Sequence, residues 1–98
     1  MGSIKLEEMI GVRELEKILK ALANKRRLAI LKYLKKNKEA TVGEISSAIK
    51  LSYKATSQHL VILSGVDILE REQRSLEAYY RISRNRNDIT NQVLRALQ

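Results

Sequence analysis

The stretch Thr41 to Leu63, TVGEISSAIKLSYKATSQHLVIL, constrains the fold more than any other part of this 98-residue chain. Thr41 and Glu44 stand three apart, so the Thr41 hydroxyl can accept from the N–H three residues on while the Glu44 carboxylate reaches back. A helix therefore starts at Thr41. Its apolar positions Val42, Ile45, Ala48 and Ile49 fall on one face, after which Leu51-Ser52 supplies a turn and a new N-cap hydroxyl. In the helix that follows, Thr56, Leu60 and Leu63 point one way, and Tyr53, Lys54, Ser57, Gln58 and Val61 the other. The outward set includes groups that hydrogen-bond to base edges or phosphates. Two short helices, a tight turn and a polar outer face on the second are the outline of a helix-turn-helix DNA reader.

The remaining elements frame this pair. A first helix carries Leu15, Ile18, Leu19 and Leu22 at i, i+3, i+4, i+7 spacing and ends near Ala23-Asn24, while Gly11 leaves open whether residues 4 to 10 extend it. A second runs from about Lys25 to Lys35, with Leu28, Ile30, Leu31 and Leu34 apolar. Beyond Ser64-Gly65, Ile68 to Glu72 and Glu77 to Ile82 alternate as two strands, with a tip near Gln73-Arg74-Ser75. A last helix from about Asn87 or Asp88 places Ile89, Val93 and Leu97 on one face. The expected architecture is mostly α with a small β-hairpin wing: two helices, an optional short strand, two helices, two strands and a helix, all in one domain over residues 1–98.

Composition narrows the function. At 44% hydrophobic residues the chain can build one modest core, and that core must be aliphatic, since Trp and Phe are absent and Tyr is the only aromatic. The lack of cysteine excludes a disulfide framework, a thiolate metal site and a thiol redox sensor. The longest apolar runs, Leu28 to Leu31 and Leu60 to Leu63, are far short of a membrane span, and the N-terminus has no signal-peptide h-region, so the expectation is a cytoplasmic protein with no membrane contact. A net charge of +8 and a pI near 10.0 favour a polyanionic partner. The charge is unevenly placed. Residues 1 to 16 are acidic on balance, whereas Lys25, Arg26, Arg27, Lys32, Lys35, Lys36 and Lys38 form an acid-free basic run that leads into the helix pair. A solvated helix face is the ordinary reading of such a run; beside a candidate reading helix, nucleic-acid contact is the favoured one.

Four segments together carry a family resemblance: LKALANKRRLAILKYL from Leu19 to Leu34, TVGEISSAI, LSYKATSQHLVIL, and EAYYRI from Glu77 to Ile82. They resemble the arsenic-repressor-like (ArsR) winged helix-turn-helix transcriptional regulators, over roughly residues 15 to 83. Ser57-Gln58-His59-Leu60, following the Thr-Val-Gly-Glu-Ile helix start, is its most specific part. The resemblance also implies where metal-sensing members hold their metal: cysteines on the third helix, or Asp and His ligands on the C-terminal helix. Here those places hold Glu44-Ile45-Ser46-Ser47, and Asp88 without a histidine, so no metal, no cofactor and no response to zinc, arsenite or cadmium is expected. Lys25 replaces a usual proline, Thr56 a usual valine, and Ser75 a frequent wing-tip glycine. Asp67 stands where glycine usually ends the reading helix and must take up its left-handed turn.

The last helix, about ten residues long, is marginal unless its stripe packs on something. The first helix has more apolar residues than one narrow stripe uses. Pairing with symmetry copies in a homodimer follows, through Leu15, Ile18, Leu19, Ile89, Val93 and Leu97, an interface that the resemblance also implies; the alternative is that both helices close a monomer core. The DNA-binding set is Ser52, Tyr53, Lys54, Ser57 and Gln58 on the reading helix, with His59 as a helix-contact residue or phosphate contact. Arg71 and Arg74 near the wing tip reach the flanking phosphates or minor groove, unless they pair with Glu70, Glu72 or Glu77. No catalytic residues are expected. Ser57 and His59, two apart on a helix, face different ways and form no dyad. The expected function is a homodimeric, sequence-specific regulator of transcription, a repressor bound to double-stranded DNA at a pseudo-palindromic operator. A weakly specific architectural binder working through the basic second helix, and a winged helix reused for protein interaction, are the alternatives.

Overall fold

The computed structural model describes residue 2 and residues 6–98, with side chains from residue 11 onward. Its elements are α1 (Leu6–Leu22), α2 (Lys25–Asn37), β1 (Ala40–Thr41), α3 (Val42–Ile49), α4 (Tyr53–Gly65), β2 (Leu69–Arg74), β3 (Glu77–Ile82) and α5 (Asp88–Ala96). The first helix runs through Gly11 to Leu6; residues 4 and 5, left open by the sequence, lie outside the described residues.

Short polar side chains set the helix starts. Asn24 accepts from the Arg26 and Arg27 N–H groups and opens α2. Thr41 and Glu44 form the expected reciprocal cap of α3, at 3.2 and 2.8 Å. Ser52 accepts from Ala55 N–H and opens α4, and Asn87 accepts from Thr90 N–H and opens α5. The turn between α3 and α4 is made by Lys50 in the left-handed region, φ 56°. Asp67 takes the left-handed turn expected of it, φ 60°.

The three strands form one antiparallel sheet in the order β1-β3-β2. The optional strand is real: Ala40 and Thr41 pair with Tyr80 and Tyr79. The hairpin differs from expectation at its tip. Gln73 and Arg74 lie within β2, Arg74 pairs with Glu77, and the loop is only Ser75-Leu76. Ser75 has φ 56°, the positive value that a tight two-residue hairpin loop demands of its first position. Alternation alone does not locate a loop this short, because polar side chains continue through the exposed end of both strands.

The core is aliphatic, with Tyr80 as its one buried aromatic among the described residues. Ile30, Leu31 and Leu34 of α2 meet Ile45 of α3, Leu60 and Leu63 of α4, and Ile68 and Leu69 at the base of the wing. Full burial of each such side chain contributes roughly 1.5–3 kcal/mol. Of the apolar positions on one face of α3, Val42 and Ile45 are buried and Ile49 half-buried, while Ala48 is exposed. α5 lies against this core through buried Leu94 and Thr90, with Ile89, Val93 and Leu97 half-buried beside them. Lys35 fastens its end by donating to the Leu94 and Leu97 carbonyls at 2.6 and 2.9 Å. The stripe on α1 is divided: Leu22 is buried and Ile18 packs on the core, while Leu15 and Leu19 stay 42% and 46% exposed.

Candidate nucleic-acid interface

Thr56, Leu60 and Leu63 root α4 in the core, which fixes the opposite face outward. Tyr53, Lys54 and Gln58 are exposed on that face behind the Ser52 cap, Ser57 is half-buried, and Val61 is exposed further along. The division expected from helical periodicity therefore holds side chain by side chain.

His59 turns aside from this face. Its Nδ1 lies 3.1 Å from Arg27 Nη1, and the same guanidinium donates through Nε to the Ala21 carbonyl and through Nη2 to the Lys20 carbonyl. One arginine thus ties the end of α1 to α4. Arginine only donates, so Nδ1 accepts and the ring proton sits on Nε2. Burial, followed by the charges of Arg27 and Arg26, holds His59 below the ordinary histidine value.

The wing carries a chain of alternating charge on its outer face. Arg74 donates to both Glu39 oxygens at 2.8 and 2.7 Å and to Glu72 Oε2 at 3.0 Å, with its guanidinium 4.5 Å from the centre of the Tyr79 ring. Arg81 continues the chain to Glu72 and Glu70. Hydrogen bonds from Arg74 and then Arg81 hold the Glu72 carboxyl down to about 2, and Arg74 likewise lowers Glu39. Glu70 is lowered chiefly by the Arg84 backbone N–H. Of the two readings open for Arg74, the structure shows the carboxylate pairing, with Glu72 as one expected partner and Glu39 as a second. Glu39 was not among its expected partners; it is 35 residues distant in sequence and arrives through the β1–β3 pairing. Arg71 differs: exposed, it donates only to Gln73 Oε1, among the described residues.

Two features were missed. Leu76, at 95% exposure, stands at the wing tip and shares a cleft of about 150 Å³ with Tyr53 and Gly43, which brings the wing tip to the start of α4. Within the basic run, Arg27 and Lys35 are used inside the fold, which leaves Lys25, Arg26, Lys32, Lys36 and Lys38 exposed. No sequence signal distinguishes these roles, because each depends on acceptors far along the chain.

Residues 24–71, which span α2 to the middle of β2, match the model of the bacterial regulatory protein arsR family. The transcriptional activator HlyU of Vibrio cholerae is 38% identical over 81 residues, 76% of this chain and 74% of HlyU. The chain belongs to the arsR family. A second relative, the transcriptional repressor PagR of Bacillus anthracis, is 34% identical over 78% of this chain and 76% of PagR. Among solved structures, the homodimeric winged helix-turn-helix DNA-binding domain of Mb0332 from Mycobacterium bovis superposes with a TM-score of 0.80 at 26% identity, covering all of this chain and 87% of that domain. As an arsR-family member the protein is a DNA-binding transcriptional regulator and not an enzyme, and α3 and α4 are its helix-turn-helix. No described helix is long and apolar enough to cross a membrane.

Proposed function

We propose that this chain is one subunit of a cytoplasmic homodimer, one domain per subunit, that reads a pseudo-palindromic operator through α4 and represses the promoter it covers. The outer face of α4 carries this reading, because Tyr53, Lys54, Ser57 and Gln58 occupy the first turns of a helix whose other face is locked in the core. Side chains at that end of a reading helix meet base edges in the major groove. The Gln58 amide suits adenine N6 and N7, Ser57 any base edge, and Lys54 or Tyr53 a guanine or a phosphate. Ser52 and the Nε2–H of His59 have phosphates within their repertoire, and Arg71 supplies the wing's positive charge.

The dimer rests on α1. Val12, Leu15 and Leu19 line an apolar cleft of about 360 Å³ that nothing in the described chain covers. A contiguous exposed apolar patch of this kind marks an interaction surface. The homodimeric state of Mb0332, whose fold this chain shares, supports a second copy as its occupant. Ile18, Ile89, Val93 and Leu97 pack partly on their own core and offer that interface only their remaining exposed surface. Two-fold symmetry would repeat the α4 contacts about 10 base pairs away.

The repressor reading is supported by the likeness to the repressor PagR; HlyU, a transcriptional activator, shares the same similarity, and occupancy of promoter DNA serves either outcome. Metal sensing has no support in the donor set: cysteine is absent from the sequence, and the single histidine is engaged by Arg27. The architectural alternative loses ground, since two cations of the α2 run serve the fold. Selection from random duplexes, combined with light scattering, tests the proposal. An enriched two-fold consensus bound by a dimer is expected; a monomer mass at micromolar concentration, or no enriched sequence, overturns it.

A further inference from the structure

A second cluster of positive charge contains no residue of the reading helix. A cleft of about 430 Å³ opens between the end of α2, the end of β3 and α5, within the size range of small-molecule sites, about 300–1,000 Å³. Its floor is apolar, made by Leu34, Ile82 and Leu94. Its rim holds Lys35, Lys38, Arg81, Arg84, Arg86 and Arg95, and no acid lines it.

Three of these cations are engaged. Lys35 donates to the α5 carbonyls, Arg81 to Glu70 and Glu72, and Arg86 to Asn91 Oδ1 and the Ser83 carbonyl. The side chains of Lys38, Arg84 and Arg95 have no hydrogen-bond partner among the described residues. Like charges gathered around one concavity repel one another and focus a positive potential into it, which an anion relieves.

We propose that this cleft binds a small organic phosphate, a monoester whose dianionic head meets Lys38, Arg84 and Arg95 and whose apolar body lies on Leu34, Ile82 and Leu94. Guanidinium groups bind phosphate oxygens bidentately, and a doubly charged head suits several cations lining one cleft better than a single carboxylate does. DNA is the less fitting occupant. The cleft contains no residue of α4, and Ile82 ends β3 five residues from Glu77 at the tip end, about 16 Å at the usual strand rise. Lys35 links the site to α5, since it both lines the cleft and holds the end of that helix.

Calorimetric titration of the full chain with phenyl phosphate tests the site, with inorganic phosphate and phenol as separate arms. The expected result is saturable binding with a dissociation constant below about 1 mM, at least about tenfold weaker binding of inorganic phosphate, and none of phenol. A Lys38→Ala/Arg84→Ala variant changes only exposed side chains, so it should fold as the parent does by circular dichroism. It should lose at least about tenfold in affinity for phenyl phosphate. No saturation by about 10 mM overturns the proposal. Equal affinity for inorganic and phenyl phosphate would mean an adventitious ion only, and would also overturn it. If the double variant instead binds DNA more weakly with a reduced salt slope, the cations are phosphodiester contacts and the small-molecule site is wrong.

Discussion

Arg27 and His59 join α2 to the reading helix at 3.1 Å, and because arginine can only donate, the contact requires His59 to be neutral at Nδ1. Burial first, and then Arg27 and Arg26, keep the folded pKa below the unfolded value of about 6.5. The unfolded chain therefore binds the proton more readily. This contribution to stability is fully present above about pH 6.5 and is lost as pH falls through the lower folded value. The melting temperature should fall between pH 7 and pH 5, and His59→Gln, whose amide oxygen accepts without titrating, should flatten that dependence. Parallel pH profiles for parent and variant would remove His59 as the cause.

On the outer face of α4, Gln58→Ala should cost roughly 1–3 kcal/mol per half-site on the selected operator and little on random DNA, since only a base contact discriminates. Lys54→Ala, meeting phosphate, should weaken both to a similar degree. Gel-shift titrations on the two duplexes at fixed salt compare them. An equal loss on both duplexes for Gln58→Ala, with the fold intact, would assign that residue to the backbone instead.

The two wing arginines should separate. Arg71→Ala should weaken binding to all sequences and lower the log–log salt slope by about 0.9 for each phosphate that the side chain neutralises. Arg74 is held by Glu39 and Glu72 and rests on Tyr79, so Arg74→Ala should leave the salt slope nearly unchanged and speed amide hydrogen exchange in β2 and β3. A drop in salt slope for Arg74→Ala as large as that for Arg71→Ala would show that Arg74 leaves its carboxylates to meet DNA.

Lys50 occupies the left-handed region at the end of α3, where its Cβ crowds the backbone and no local side-chain hydrogen bond compensates. Lys50→Gly should stabilise the fold by about 0.5–1 kcal/mol, because glycine takes that conformation without steric strain. Urea unfolding with unchanged slope measures it. A loss of stability would mean that the entropy glycine adds to the unfolded chain outweighs the relief of strain.

Much of the helix-turn-helix was readable because its determinants are local. Thr41 with Glu44, Ser52 with Ala55 and Asn87 with Thr90 act across three residues, so the starts of α3, α4 and α5 are visible in the chain. The outer face of α4 follows from helical periodicity, since Thr56, Leu60 and Leu63 must share one side. The Asp67 turn was expected from the family resemblance, since glycine usually stands at that position and its left-handed turn passes to the residue that replaces it. The Asn24 cap, equally local, was passed over because the first two helices were separated only by their apolar patterns.

The amino-acid sequence by itself thus determined the element order, the caps and which face of α4 looks outward, all governed by interactions within a turn or two. Only the tertiary structure decided which charges are free. Arg27 finds His59 at 32 residues' distance, Arg74 finds Glu39 at 35, and Lys35 finds the Leu94 carbonyl at 59. Long flexible cations take whatever acceptor folding brings within about 3 Å, and periodicity carries no record of that choice. The same holds for the apolar positions of α1 and α5: Leu22 and Leu94 are buried while Leu15 and Leu19 stay open, because tertiary packing sets how much of each helix the core covers.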